Sequence, residues 1–201
     1  MTTTTAHLNP ALTPLGARQA QATNHVGMIL ALVSFTMMFA GLFYSYGLLR
    51  IRSVAWPPPG VPAPPLLIPS IITVLMFGSS VALEQGRKVL GMGRIQAFQR
   101  YTMAAIILGS LFIGLQAQVW VQMWEAGLTL VVGPYASLFY FLTFFHALHV
   151  LAGLGILVRL YLVAPRSDFA VTGRSNAQLG SMFWHFVGAV WLVIFSLVYV
   201  F

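Results

Sequence analysis

Apolar residues fall in five nearly continuous runs, at about 25–49, 66–83, 101–123, 136–162 and 178–201, and most charged residues lie between or beside them. A strand with one wet face alternates apolar and polar residues. These runs do not alternate, and each is long enough to cross a bilayer, for which a helix needs about 20 apolar residues. Only helices and closed barrels satisfy every backbone polar group in lipid, and unbroken runs argue against a barrel. The pattern predicts an all-α fold, a polytopic transmembrane bundle of five helices over residues 25–201. A polar tail, 1–24, precedes it, rich in Thr and Ala and lacking the apolar core of a signal peptide. No internal repeat of about 20 to 50 residues is visible.

Composition narrows the class. Hydrophobic residues make up 59% of the 201 positions and charged ones 6%, and the mean hydropathy is +0.86. Such a balance excludes an ordinary water-soluble domain. The net charge of +7 comes from 10 Lys and Arg against 3 acids. The basic residues cluster in short loops and do not form a face with interleaved aromatics, so the expected partner is a phospholipid surface and not nucleic acid. Cys is absent, which excludes disulfides, thiolate metal sites and iron–sulfur clusters.

The charges also predict orientation. Arg18, the group Arg87, Lys88, Arg94 and Arg100, and the pair Arg166 and Arg174 fall on one side of the five spans, whereas the other side holds Arg50 and Arg52. The positive-inside rule places the first side in the cytoplasm, with the N-terminus there and the C-terminus outside. Trp56, Trp120, Trp124 and Tyr135 then form an outer aromatic belt. The segment WPPPGVPAPP (56–65) faces outward as a stiff connector, because proline fixes φ and removes a backbone donor. Arg87, Lys88, Arg94, Arg100, Arg159, Arg166 and Arg174 are the expected contacts for anionic lipid headgroups. Arg159 is placed to snorkel from the last turns of its helix.

Polar side chains within the spans are the candidate chemistry. His146 and His149 lie three apart in the fourth helix and His185 lies in the fifth. At about 1.5 Å per residue, His149 stands roughly 20 Å from the inner end of its helix and His185 about 10 Å, a poor match for a shared haem. These histidines, with Gln116 and Trp184, are therefore read as structural polar residues bonding between helices. Gln118 and Gln122 get the same reading. Glu84, Glu125 and Asp168 lie near span ends, too few for a di-iron site. Glu84 precedes Arg87 by three residues, an ion-pair spacing on a helix. Gly78-x-x-x-Ala82 and Ser110-x-x-x-Gly114 predict close helix contacts. There is no nucleophile and base pair, no phosphate-binding loop and no paired carboxylate in the spans. Neither a catalytic nor a metal residue is expected.

Several segments resemble, in order, subunit III of haem-copper cytochrome c oxidases in its five-helix bacterial form. FFHALHVLAGL (144–154) is similar to that family's Phe-His-Gly-Leu-His-Val segment, with Ala147 in place of Gly. MMFAGLF (37–43), WPPPG (56–60), SSV (79–81) and LGSLFIGLQA (108–117) match other stretches, and FWHFVGAVWLVIF (183–195) resembles the closing Trp-His-Phe-Val-Asp-x-Val-Trp segment. In that family the proline-rich segment is an outer connector.

The resemblance implies a non-catalytic subunit in the inner membrane of a bacterial cell. It would be docked on oxidase subunit I and other oxidase subunits, with bound phospholipid and with haem and copper confined to the catalytic partner. The complex would pass electrons from cytochrome c or quinol to oxygen and pump protons, this chain taking part only as a subunit. Three family carboxylates are absent: Phe35, Val119 and Gly188 stand where the family has Glu, Glu and Asp. Their joint loss suggests one network removed as a unit. Two other readings are a subunit-III-like protein of a nitric oxide reductase system and a small proton-coupled transporter. The transporter would need a membrane-embedded acid and broken half-helices, and neither is seen.

Overall fold

The computed structural model describes residues 14–58, 60–165 and 169–200. Five helices account for almost all of them: α1 (Pro14–Arg52), α2 (Leu67–Gly91), α3 (Ile95–Glu125), α4 (Pro134–Val163) and α5 (Phe169–Ile194). The last continues as a π-helical turn, Phe195–Val200. All five are long and apolar enough to cross a membrane. α1 begins at Pro14, inside the segment read as a polar tail, because Ala, Gln and Arg there sustain a helix after the apolar residues have stopped. Residues 1–13 lie outside the described part.

Local chemistry sets the helix ends. α2 closes in a Schellman motif: Arg94 N–H donates to Val89 O at 3.0 Å and Gly93 N–H to Leu90 O at 3.0 Å. Gly93 supplies the left-handed φ of 78° that this geometry requires. α3 closes in the same way, with Leu128 N–H on Met123 O at 2.9 Å and Gly127 N–H on Trp124 O at 3.0 Å. Leu128 and Met123 are both buried, the apolar contact that accompanies the motif. Pro134 opens α4 at a position where no backbone donor is needed.

α2, α3, α4 and α5 form a closed ring, each packed on the next and α2 meeting α5, while α1 lies outside against α4 and α5. The core runs up the middle of the ring, with Trp184, Trp191, Phe112 and Phe139 among its fully buried side chains. The small pairs expected to bring helices together do not. A Cβ on Gly78 would find only ordinary contact, 3.7 Å from Leu108, and Ser110 and Gly114 point outward. Close approach occurs instead at Gly109, Gly153 and Gly180, where an added Cβ would come within 2.7, 2.8 and 2.8 Å of a neighbouring side chain.

Candidate functional site

Tryptophans on one face of α5 tie the ring together. Trp184 Nε1–H donates to Ser79 Oγ at 3.0 Å, and Ser79 Oγ–H donates in turn to Ala105 O at 3.1 Å, linking α5, α2 and α3. Seven residues on, Trp191 Nε1–H donates to Thr73 Oγ1 at 3.0 Å. A third bond of this type joins α3 to α4, from Trp120 Nε1–H to Thr143 Oγ1 at 3.0 Å. In lipid no water competes for such groups and apolar faces gain little by association, so packing and interhelical hydrogen bonds hold a bundle together. The Trp184 ring fills the slot that Gly109 of α3 and Gly153 of α4 leave open.

The other expected interhelical residues behave differently. His146 is buried among Phe39, Phe112 and Trp191, with ring centroids at 6.3, 5.6 and 5.4 Å. Neither of its ring nitrogens has a hydrogen-bond partner among the described residues. His149 Nδ1–H donates to Phe145 O at 2.6 Å, a bond within its own helix. The ring of His149 packs edge-on against Phe35 of α1 at 4.3 Å. His185 faces a polar group across helices: its Nε2 lies 4.0 Å from Glu84 Oε2 on α2. Gln116 is buried with its amide unpaired, while Gln118 and Gln122 are exposed. None of these contacts is an interhelical hydrogen bond among the described residues. Trp indoles and Ser/Thr hydroxyls take that role because an indole N–H carries its donor at the end of a large apolar body that packs well.

The three positions without a carboxylate lie on three helices, α1, α3 and α5. Phe35 packs on α4 and α5, against His149 and, at 6.1 Å between ring centroids, Phe183. Gly188 faces α2, where an added Cβ would sit 3.5 Å from Ser80 Oγ, and it lines a groove of about 230 Å³ with Thr73, Met76 and His185. Val119 is fully buried on α3. Phe35 and Gly188 therefore face different neighbours.

One end of the bundle carries most of the charge. Arg87 makes a two-point ion pair with Glu84, its Nε and Nη2 at 3.0 and 2.8 Å from the two carboxylate oxygens. Arg174 Nη2 donates to Gly91 O at 2.7 Å, capping the end of α2 from α5. Lys88, Arg94, Arg100 and Arg159 are exposed, and Arg100 lines an open groove of about 560 Å³ with Gln96, Gln99, Met103 and Tyr161. Arg166 lies outside the described residues.

The family model for cytochrome c oxidase subunit III matches residues 13–201. The chain is 32% identical over 174 residues to cytochrome c oxidase subunit 3 of Synechocystis sp., an alignment covering 86% of this chain and 73% of the relative. It is 33% identical over 176 residues to cytochrome c oxidase subunit 3 of Corynebacterium diphtheriae, covering 87% and 86%. A relative of the same name from Thermostichus vulcanus is 29% identical over 176 residues. The matched span takes in all five helices and the π-helical turn, and the chain belongs to the cytochrome c oxidase subunit III family.

Proposed function

We propose that the chain is a non-catalytic, multi-pass subunit of a haem-copper terminal oxidase in a bacterial inner membrane, with its N-terminus in the cytoplasm. One observation carries this reading: the family match runs through the whole bundle. Haem and copper belong to the catalytic subunit. His146 is enclosed by aromatic rings, His149 turns to α1 and His185 to Glu84, so these side chains do not converge on an iron or copper ion.

The work of the chain is structural. Its Trp–hydroxyl bonds and Gly slots make a rigid wall, and the exposed Lys88, Arg94, Arg100 and Arg159 hold anionic phospholipid at the basic end. Oxygen consumption by membranes from a strain lacking this chain tests the reading. The initial rate per haem stays near normal, and activity then decays faster during turnover. Complete loss of the initial rate at unchanged haem and copper content contradicts it.

A further inference from the structure

The strongest unexplained feature is a set of buried polar groups between four helices. Tyr46 of α1, Gln116 of α3, His146 of α4 and Tyr199 of the π-helical turn are 1, 1, 1 and 6% exposed. The Tyr46 and Tyr199 hydroxyls, both amide atoms of Gln116 and both ring nitrogens of His146 have no hydrogen-bond partner among the described residues.

These groups are neighbours. The Gln116 amide and the Tyr46 and Tyr135 side chains lie near the Tyr199 hydroxyl. Trp191 is a shared wall, its ring centroid 5.4 Å from His146 and 6.2 Å from Tyr199. Phe112, one helical turn before Gln116, packs on His146 at 5.6 Å. The π-helical turn buries Val198 and Tyr199, and π-turns in membrane and soluble helices often mark functional positions.

We propose that Tyr46, Gln116, His146 and Tyr199 form an internal hydration site, binding water with side chains drawn from four helices. Six unpaired buried polar atoms are too many for a dry core, since each orphaned group in a closed interior is strongly unfavourable. The chemistry selects an uncharged ligand that both donates and accepts. Hydroxyls and an amide do both, a neutral imidazole has one nitrogen for each role, and no carboxylate or cation belongs to the set. Water meets that description.

Tyr46 leads toward the end of the bundle that carries Arg50. Tyr46 packs edge-on against Trp56 at 5.2 Å, Trp56 packs on Tyr135 at 5.0 Å, and the Arg50 guanidinium lies 5.9 Å over the Trp56 ring. A cavity of about 120 Å³ at this end has Tyr135, Pro58 and Val61 in its lining, room for a few water molecules.

X-ray radiolysis in ¹⁸O-labelled water, read by mass spectrometry, tests the site, because hydroxyl radicals formed from bound water oxidise the side chains beside it. The full-length chain is used in mild detergent. Trp184 is the control, being fully buried, reactive and already bonded to Ser79. Labelling of Tyr199 and His146 several-fold faster than Trp184 supports the site, and rates equal to that of Trp184 overturn it. Gln116→Leu removes the central polar partner and lowers the Tyr199 and His146 rates several-fold. Unchanged rates in that variant would show that these residues share no water through Gln116, and would overturn the four-helix site. Should the variant fail to fold, the comparison with Trp184 in the wild-type chain decides.

Discussion

Trp184 Nε1–H donates to Ser79 Oγ at 3.0 Å across the contact between α5 and α2. The same hydroxyl donates its own hydrogen bond to Ala105 O on α3, so one serine joins three helices. Ser79→Ala leaves the Trp184 indole N–H unpaired in a closed core, and destabilises the bundle by about 1–3 kcal/mol. Trp184→Phe removes the same bond, and a double-mutant cycle measured by denaturant unfolding in detergent shows coupling between the two sites. Additive effects would mean that the bond contributes nothing to stability.

The glycine slots give a sharper contrast. Gly109→Ala and Gly153→Ala drive a methyl into the Trp184 ring, where the built Cβ lies 2.7 and 2.8 Å from ring carbons. Each lowers stability by about 1–3 kcal/mol, as overpacking does. Gly114→Ala and Gly155→Ala meet nothing within 4 Å and leave the melting temperature unchanged or slightly raised. Equal melting temperatures for all four variants would contradict this packing.

The missing carboxylates make a chemical prediction. Carbodiimides modify protonated carboxyls held away from water. Glu84, the one acid within the described helices that faces partners across them, is ion-paired with Arg87 and so stays ionised. The wild-type chain is scarcely labelled. Phe35→Glu places a carboxyl beside His149, in a part-buried setting where desolvation favours the neutral acid, and labelling appears at residue 35. Strong labelling of the wild-type chain at Glu84, read by peptide mass spectrometry, contradicts the account.

Much of the fold was legible because lipid imposes a simple rule: apolar runs without alternation become helices, and all five spans lie where those runs predict. The start of α1 was not, since hydropathy ends near residue 25 whereas the helix, sustained by Ala and Gln, reaches back to Pro14. Trp184 was legible as a polar residue between helices, but its acceptor was not. Ser79 and Thr73 look like ordinary small residues on α2 until the ring closes against α5. The small pairs misled for a related reason. Spacing alone does not say which face of a helix turns inward, and Ser110 and Gly114 turn out while Gly109 turns in. His146 was legible as a buried polar residue, but the three aromatic rings around it come from helices that only the fold brings together.

Lipid retention separates the basic residues by their contacts. Arg87 is committed to Glu84 and Arg174 to the end of α2, whereas Arg100 and Arg159 are exposed. The double variant Arg100→Ala, Arg159→Ala therefore loses co-purifying anionic phospholipid, each charge near the surface contributing about 1 kcal/mol. Arg87→Ala retains it. Native mass spectrometry reads the bound lipid, and equal retention in both variants contradicts the assignment.

The central claim is that this chain serves a haem-copper oxidase without holding a redox centre. Purification through a tag on this chain in mild detergent, followed by a reduced-minus-oxidised spectrum and metal analysis before and after its partners are stripped away, tests that claim directly. The account predicts haem bands and copper in the complex, and neither in the isolated chain. Stoichiometric haem or copper remaining on the isolated chain, or a preparation from which both are absent throughout, would contradict it.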